Sequence, residues 1–300
     1  MITYAYIETS SYCNLDCSFC NRREVVGKPT NMTLEDYKVI LSKLKNQPIK
    51  QIKLMGMGEP FMHPRFHEIC RLTRETFPNA FIISATNCQF TIGNNFKKAI
   101  EYIDLLYLSI DGHIENYEKF RKPAKWSKLL KFLIQLKNIS RHKCRLAINY
   151  TVNPENVDDI SRVHTMLEKY QLDELRLNIV QNWSEDQKAG ELISGFSLDQ
   201  LEYLRQNYQS LIKGKSDWDY PDCFWVKEGI YITAKGEMKV CCMNTSTAPI
   251  GNVIQTISVN ELRRSKRFTE IVNGCLTNTP TEHCQKCSYK ELTPLLKQLI

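Results

Sequence analysis

Short runs rich in Ile, Leu, Tyr and Val recur through the first two thirds of the chain: Tyr4–Glu8, Gln51–Met55, Ala80–Ala85, Leu105–Ile110, Arg145–Thr151 and Glu174–Val180. Their lengths and their β-branched and aromatic content predict strands. Longer segments between them carry apolar residues at helical spacing, as in Leu34-Tyr37-Ile40-Leu41-Leu44 and Leu129-Phe132-Leu133-Leu136. Thr33, before Leu34-Glu35-Asp36, and Asn156, before Val157-Asp158-Asp159, are the expected N-caps.

Strand–helix alternation repeated about six times predicts an α/β chain with a parallel sheet and helices outside it. Six units fall short of a closed eight-stranded barrel, so a partial (β/α)6 barrel or an open sheet is expected. Such folds bind ligands at the C-terminal ends of their strands. The chemically distinctive residues fall there: Cys13, Gly56–Pro60, Thr86-Asn87 and Ser109-Asp111-Gly112. The pattern changes near residue 210. Gly214-Lys215-Ser216-Asp217 with Pro221 reads as a linker, dividing the chain into a core of 1–212 and an extension of 213–300. In the extension, Gly229–Thr233 and Glu237–Cys242 flank Ala234-Lys235-Gly236 as a hairpin. A helix near Val259–Val272 and a short terminal helix complete it.

Composition narrows the setting. Of 300 residues, 42% are apolar and 24% charged, ordinary for a globular chain. The formal charge of +7 reads first as a solvated Lys-rich surface and only second as a sign of an anionic substrate or partner. No basic run is long enough for a nucleic-acid arm, and no stretch has the length and apolarity of a signal peptide or membrane span, so a cytoplasmic chain with no nucleic-acid or membrane partner is expected. Thiols stay reduced there, which makes the 12 cysteines informative. Cys13, Cys17 and Cys20 cluster at one end; Cys223, Cys241, Cys242, Cys275, Cys284 and Cys287 cluster at the other. Cys70, Cys88 and Cys144 read as ordinary buried thiols.

The first cluster has the spacing Cys13-x3-Cys17-x2-Cys20. Three thiolates on one loop can hold a [4Fe–4S] cluster while leaving one iron open, as catalytic metal sites keep a position for substrate. The alternative is a zinc loop completed by His63, His67 or another cysteine. The motif, directly after a first strand and with Phe19 before its third cysteine, resembles the signature of the radical S-adenosylmethionine (SAM) superfamily. The resemblance spans roughly residues 3–210. Met55-Gly56-Met57-Gly58-Glu59-Pro60 resembles the family's Gly-Gly-Glu segment, with Met57 in place of the first motif glycine. It implies that Gly58 and Glu59 bind the amino group of SAM. Thr86-Asn87 is similar to a Thr-Asn-Gly segment, with Cys88 replacing the glycine. Leu108-Ser109-Ile110-Asp111-Gly112 resembles the segment that contacts the ribose, with Ser109 preferred to Asp111.

In the extension, Cys223-x12-Gly236-x4-Cys241 and Cys284-x2-Cys287 offer four thiolates. Spacing alone suits a zinc ribbon or a [4Fe–4S] cluster. The pattern resembles the opening of the SPASM and shortened twitch extensions of some radical SAM proteins, as do Pro249–Val253 and Arg264–Phe268. That resemblance implies one auxiliary [4Fe–4S] cluster on Cys223, Cys241, Cys284 and Cys287. Cys242, next to Cys241 on a strand, is expected to face the other way, and serves instead if the register shifts by one. Cys275 is a substitute expected on a loop.

What the resemblance implies is an enzyme that cleaves SAM reductively to a 5′-deoxyadenosyl radical, which takes hydrogen from a substrate. An external one-electron reductant such as flavodoxin or ferredoxin is the implied partner. Polar residues near the fifth and sixth strand ends, Asn149, Arg176, Asn178, Gln181 and Asn182, are expected on the substrate side. No catalytic base is assigned. The layout is similar to that of the aminocyclitol dehydrogenases and of the peptide maturases. The preferred reading is net dehydrogenation of a sugar or cyclitol alcohol. The alternatives are a peptide-modifying maturase and, from another class, a non-enzymatic zinc or iron–sulfur protein.

Overall fold

The computed structural model describes residues 1–140, 143–181, 195–214, 223–242, 247–285 and 287–300. Asn182 and most of the expected linker, 215–221, lie outside the described residues. Six strands, β1 (Tyr4–Ile7), β2 (Gln51–Leu54), β3 (Phe81–Thr86), β4 (Leu105–Ser109), β5 (Arg145–Val152) and β6 (Glu174–Ile179), fall within a residue or two of the hydrophobic runs. All five pairings among them are parallel, in the order β6-β5-β4-β3-β2-β1. β6 and β1 do not pair, so the barrel is partial. Helices return the chain between strands and cover the outer face. Leu34, Tyr37, Ile40, Leu41 and Leu44 of the helix Leu34–Leu44 are each at most 4% exposed. Burial of this kind stabilises by roughly 1.5–3 kcal/mol per large side chain. A second, smaller apolar set, Ile83, Leu105, Tyr107 and Ala147 with Met55 and Ala85, lies apart from the main core. Among the described residues no helix is long and apolar enough to cross a membrane.

The extension joins the same sheet. β7 (Gly229–Ile232) pairs in parallel with β1, with Tyr6 opposite Tyr231. β8 (Glu237–Lys239) and β9 (Gly251–Asn252) follow antiparallel, giving a sheet of nine strands among the described residues. The expected hairpin is therefore present, with Gly236 at φ +76° in its turn. Its first strand is also the neighbour of the core's first strand.

Local chemistry accounts for three departures. Thr33 caps its helix, accepting from the Asp36 amide at 3.0 Å. Asn156 does not cap: its amide donates to the carbonyls of Asp111 and Thr151 at 3.1 and 2.9 Å, so its side chain serves the strand ends instead. The expected helix near Val259–Val272 is two helices, Val259–Arg263 and Lys266–Leu276, because Ser265 accepts from the Phe268 amide at 3.3 Å and starts a new one. Cys275 lies in the last turn of the second helix, fully buried, and not on a loop. Its neighbour Gly274 marks close packing instead of a turn, since a Cβ there would sit 2.8 Å from the Thr279 carbonyl oxygen.

Candidate functional site

The loop after β1 carries Cys13, Cys17 and Cys20, all partly buried. The Cys20 amide bonds the Cys17 carbonyl at 3.0 Å, closing a turn that brings the last two thiols round. The loop is held from outside by the chain after the fourth unit: the Ser18 amide donates to the Phe120 carbonyl at 2.9 Å. Arg121 stands behind it. Its guanidinium lies 5.7 Å from the Phe19 ring centroid and approaches Cys17 Sγ at 4.0 Å. It is paired with the fully buried Asp111 at 2.5 Å. Burial pushes all three thiols up, Cys17 to about 12, with Arg121 opposing this at Cys17. A metal that takes up thiolates must displace those protons. Among the described residues no three His, Cys, Asp or Glu side chains are placed to share a single ion. A [4Fe–4S] cluster instead takes one thiolate per iron, and three thiols on one half-buried loop fit that demand. His63 does not complete a zinc site here: its ring nitrogens engage the Met32 carbonyl at 2.8 Å and the Arg65 amide at 3.1 Å. His67 is bonded to Asn95 at 3.0 Å.

The Gly56–Glu59 loop is clipped onto this one. The Glu59 amide donates to the Tyr12 carbonyl at 2.8 Å. A Cβ on Gly58 would stand 2.3 Å from the Ser10 carbonyl oxygen, so the approach requires glycine. The Glu59 carboxyl is 3% exposed and accepts from the amides of Asn87 at 2.7 Å and Phe61 at 3.2 Å. Burial raises its pKa to about 7 despite those bonds. Asn87 also reaches back to the cysteine loop, donating to Asn14 at 2.7 Å and lying 3.8 Å from Cys13 Sγ. Cys88 adopts φ +61°, so the turn of a Thr-Asn-Gly segment is kept although a cysteine fills the glycine position. Ser109 stands half-buried at the end of β4, opposite Asn149 and on the same face as Tyr107. Asp111 is committed elsewhere, to Arg121 and to the Thr151 amide at 2.6 Å.

Phe19 lines two cavities. The smaller, about 290 Å³, is also bounded by Ser18, Phe120, Asn153 and Val180. The larger, about 670 Å³, runs from Phe19 and Cys20 across the inner strand faces to the extension. Asn149, Arg176, Asn178 and Gln181 line it as expected. Its far wall holds Cys223, Cys241, Cys242, Cys275, Cys284 and Cys287, thiols drawn from positions 64 residues apart and brought to one place. Cys275 Sγ and Cys284 Sγ are 3.6 Å apart. β8 ends at Lys239, before Cys241 and Cys242, so strand alternation does not separate them and both line the cavity. Cys242 lies toward Tyr4, Tyr6 and Lys53, Cys241 lies toward Lys239 and Cys284, and Tyr231 is near both.

Three participants escaped sequence reasoning. Glu8 is buried at the end of β1, accepting from the Met57 amide at 2.7 Å and the Ala234 amide at 3.0 Å, and so ties core to extension. Arg121 gives no motif signal. Lys53 does leave one: a lysine between Ile52 and Leu54 in a parallel strand must face inward if its neighbours face the helices.

With this geometry the comparisons agree. A sequence model of the radical SAM superfamily matches residues 7–167, and one of an iron–sulfur cluster-binding domain, SPASM, matches residues 223–288. The chain belongs to the radical SAM superfamily and carries a SPASM-type C-terminal domain. Its cofactors are thus a [4Fe–4S] cluster with SAM and an auxiliary iron–sulfur cluster. It is 24% identical over 223 residues to the tungsten-containing aldehyde ferredoxin oxidoreductase cofactor-modifying protein of Pyrococcus furiosus, covering 69% of this chain and 59% of that protein. Over 165 residues it is 24% identical to the sporulation killing factor maturation protein SkfB of Bacillus subtilis, covering 52% of this chain and 37% of that one. The chain thus spans less than two thirds of the length of these curated relatives. Streptococcus suis SuiB bound to precursor peptide SuiA superposes with a TM-score of 0.67 at 16% identity, covering 99% of this chain and 70% of that one. BtrN in complex with AdoMet and 2-DOIA superposes with a TM-score of 0.58 at 15% identity, covering 99% and 92%. At such identities these likenesses show the fold alone.

Proposed function

We propose that this chain cleaves SAM reductively and directs the resulting 5′-deoxyadenosyl radical to a carbon of a peptide substrate. The observation that carries the reading is one continuous cavity running from the first cysteine loop to the thiols of the SPASM-type domain. A substrate seated there would lie between two cluster sites. The sugar or cyclitol preference from sequence has less support than its peptide alternative, because SkfB is a maturation protein and SuiB was solved with a precursor peptide. The small-molecule reading keeps one supporting observation, the near full-length likeness to BtrN.

In this reading Cys13, Cys17 and Cys20 hold the [4Fe–4S] cluster, which supplies the electron that cleaves SAM. Glu59, backed by the Asn87 and Phe61 amides, accepts from the ammonium of SAM. Gly58 lets its backbone come close. Phe19 forms the wall shared by the two cavities, and the smaller one takes the adenosyl end. Ser109 contacts the ribose, and Asn87 steadies Cys13. Cys223, Cys241, Cys284 and Cys287 hold the auxiliary cluster. Residues 1–212 form the radical-generating unit and 213–300 the extension. A flavodoxin or ferredoxin supplies the electron.

Anaerobic reconstitution tests this. About eight irons per chain and release of 5′-deoxyadenosine from SAM under reduction are expected. Adding candidate peptides should raise deoxyadenosine formation. A rise with cyclitols and none with peptides overturns the peptide reading. No SAM cleavage under any condition overturns the whole.

A further inference from the structure

The larger cavity has a one-sided charge. Lys53, Arg121, Arg176 and Lys213 line it, and among the described residues no Asp or Glu does. Two of these cations are engaged: Arg121 pairs with Asp111 at 2.5 Å, and Arg176 donates to the Tyr107 hydroxyl at 2.6 Å with Glu174 at 3.7 Å. Lys53 is different. Its ammonium faces the rings of Tyr4 and Tyr6, 5.6 and 5.7 Å from their centroids. Among the described residues it makes no hydrogen bond or ion pair. Ring faces attract a cation but accept no full hydrogen bond, so the three donors of the ammonium are left to whatever fills the cavity. Burial lowers the pKa of Lys53; the Cys242 thiol opposes this and Arg176 adds to it. A buried ammonium beside a second cation, with the Cys242 thiol as its acidic neighbour and no carboxylate in the wall among the described residues, is electrostatically costly unless an anion arrives.

In the proposed reading SAM sits at the Gly-x-Gly-Glu segment, which begins at Gly56, two residues past the end of β2 and three residues, roughly 10 Å, along the chain from Lys53, so Lys53 is left to the substrate. The rings of Tyr4, Tyr6, Trp225 and Tyr231 line the wall beside Lys53 and offer apolar faces to the rest of a ligand.

We propose that Lys53, seconded by Arg176, is the anion-recognition point of this cavity and seats an acidic side chain, Asp or Glu, of the peptide acted upon. The proposal rests on the peptide reading above. Lys53 is a positioning residue: it fixes which substrate carbon faces the radical and takes no part in bond breaking.

Equilibrium dialysis of the reconstituted full chain with SAM tests it. The probes are degenerate tetrapeptide pools with Glu, Gln or phosphoserine at the second position, together with glucuronate and glucose. The Glu pool should be retained at least tenfold better than the Gln pool. Lys53→Met should abolish that preference and Lys53→Arg should restore it, with iron content, visible spectrum and auxiliary-cluster potential unchanged. Equal retention of the Glu and Gln pools overturns the proposal, as does a preference that survives Lys53→Met, better retention of the phosphoserine pool, or no retention of any probe. A shifted cluster potential with an unchanged pool preference makes Lys53 a counter-charge to the cluster and also overturns it. Retention of glucuronate but not of the Glu pool overturns both the acidic-peptide assignment and the peptide reading. Deoxyadenosine formation by the same preparations is scored separately, so failure at Lys53 is distinguishable from failure of the radical chemistry.

Discussion

The two thiol groups are built in opposite ways. The first comes from eight consecutive residues, Cys13 to Cys20, and its closing hydrogen bond joins two of its own cysteines. The second gathers cysteines from 223 to 287 and exists only because β7 lies against β1 and the later helices fold back. A local loop can present its thiols with few long-range contacts, but its setting is still tertiary: Arg121, Gly58 and Asn87 arrive from three other units. The dispersed group depends on tertiary contacts even for membership, and it brings six thiols to one wall where the proposed cluster would take four.

That contrast can be broken most sharply at Cys17. Cys17→Ala should abolish SAM cleavage while leaving about four irons in the extension. Deoxyadenosine assay and iron analysis check this, and loss of all iron would show the two sites to be interdependent. Next comes Arg121→Gln, which leaves Asp111 buried beside the first loop without its cation. Removing one partner of a buried pair costs about 3–5 kcal/mol, to be read from denaturant unfolding of the apoprotein; a change below 1 kcal/mol would mean the loop holds itself.

A smaller effect is expected from pH. Burial disfavours the Glu59 carboxylate and raises its pKa to about 7. The ordinary value is lower, so this group makes folding less favourable as pH rises from that value towards 7. In the proposed reading the carboxylate receives the ammonium of SAM, so affinity should fall up to about tenfold per unit below pH 7. Glu59→Gln should flatten that profile in a SAM-binding titration, and an unchanged slope would remove Glu59 from the SAM site. The least effect is expected from Cys275→Ala, which should keep the auxiliary cluster, whereas Cys287→Ala should lose about four irons. Loss of iron in Cys275→Ala would move the ligand set.

Much of the core was legible in the chain. The six strands and the helix at Leu34–Leu44 follow from apolar periodicity, a property of neighbouring residues. The Thr33 cap follows from a hydroxyl three residues before an amide. The same reasoning failed at Asn156, whose amide found strand-end carbonyls, and at Cys275, where a glycine signalled packing and not a loop. The causes differ: Asn156 was drawn to the carbonyl of Asp111, 45 residues away, whereas Gly274 packs against Thr279, only five residues on.

The sequence by itself determined the alternation of elements, the spacing of the first three thiols and the presence of a cysteine-rich extension, because these rest on local periodicity and on adjacency along the chain. Only the tertiary structure decided that β7 would flank β1, that Glu8 would receive amides from Met57 and Ala234, and that Arg121 would stand behind Cys17. It also decided that Lys53 would face a cavity lined, among the described residues, by no Asp or Glu. Such contacts depend on how separate elements pack, and burial and charge compensation are properties of the assembled fold.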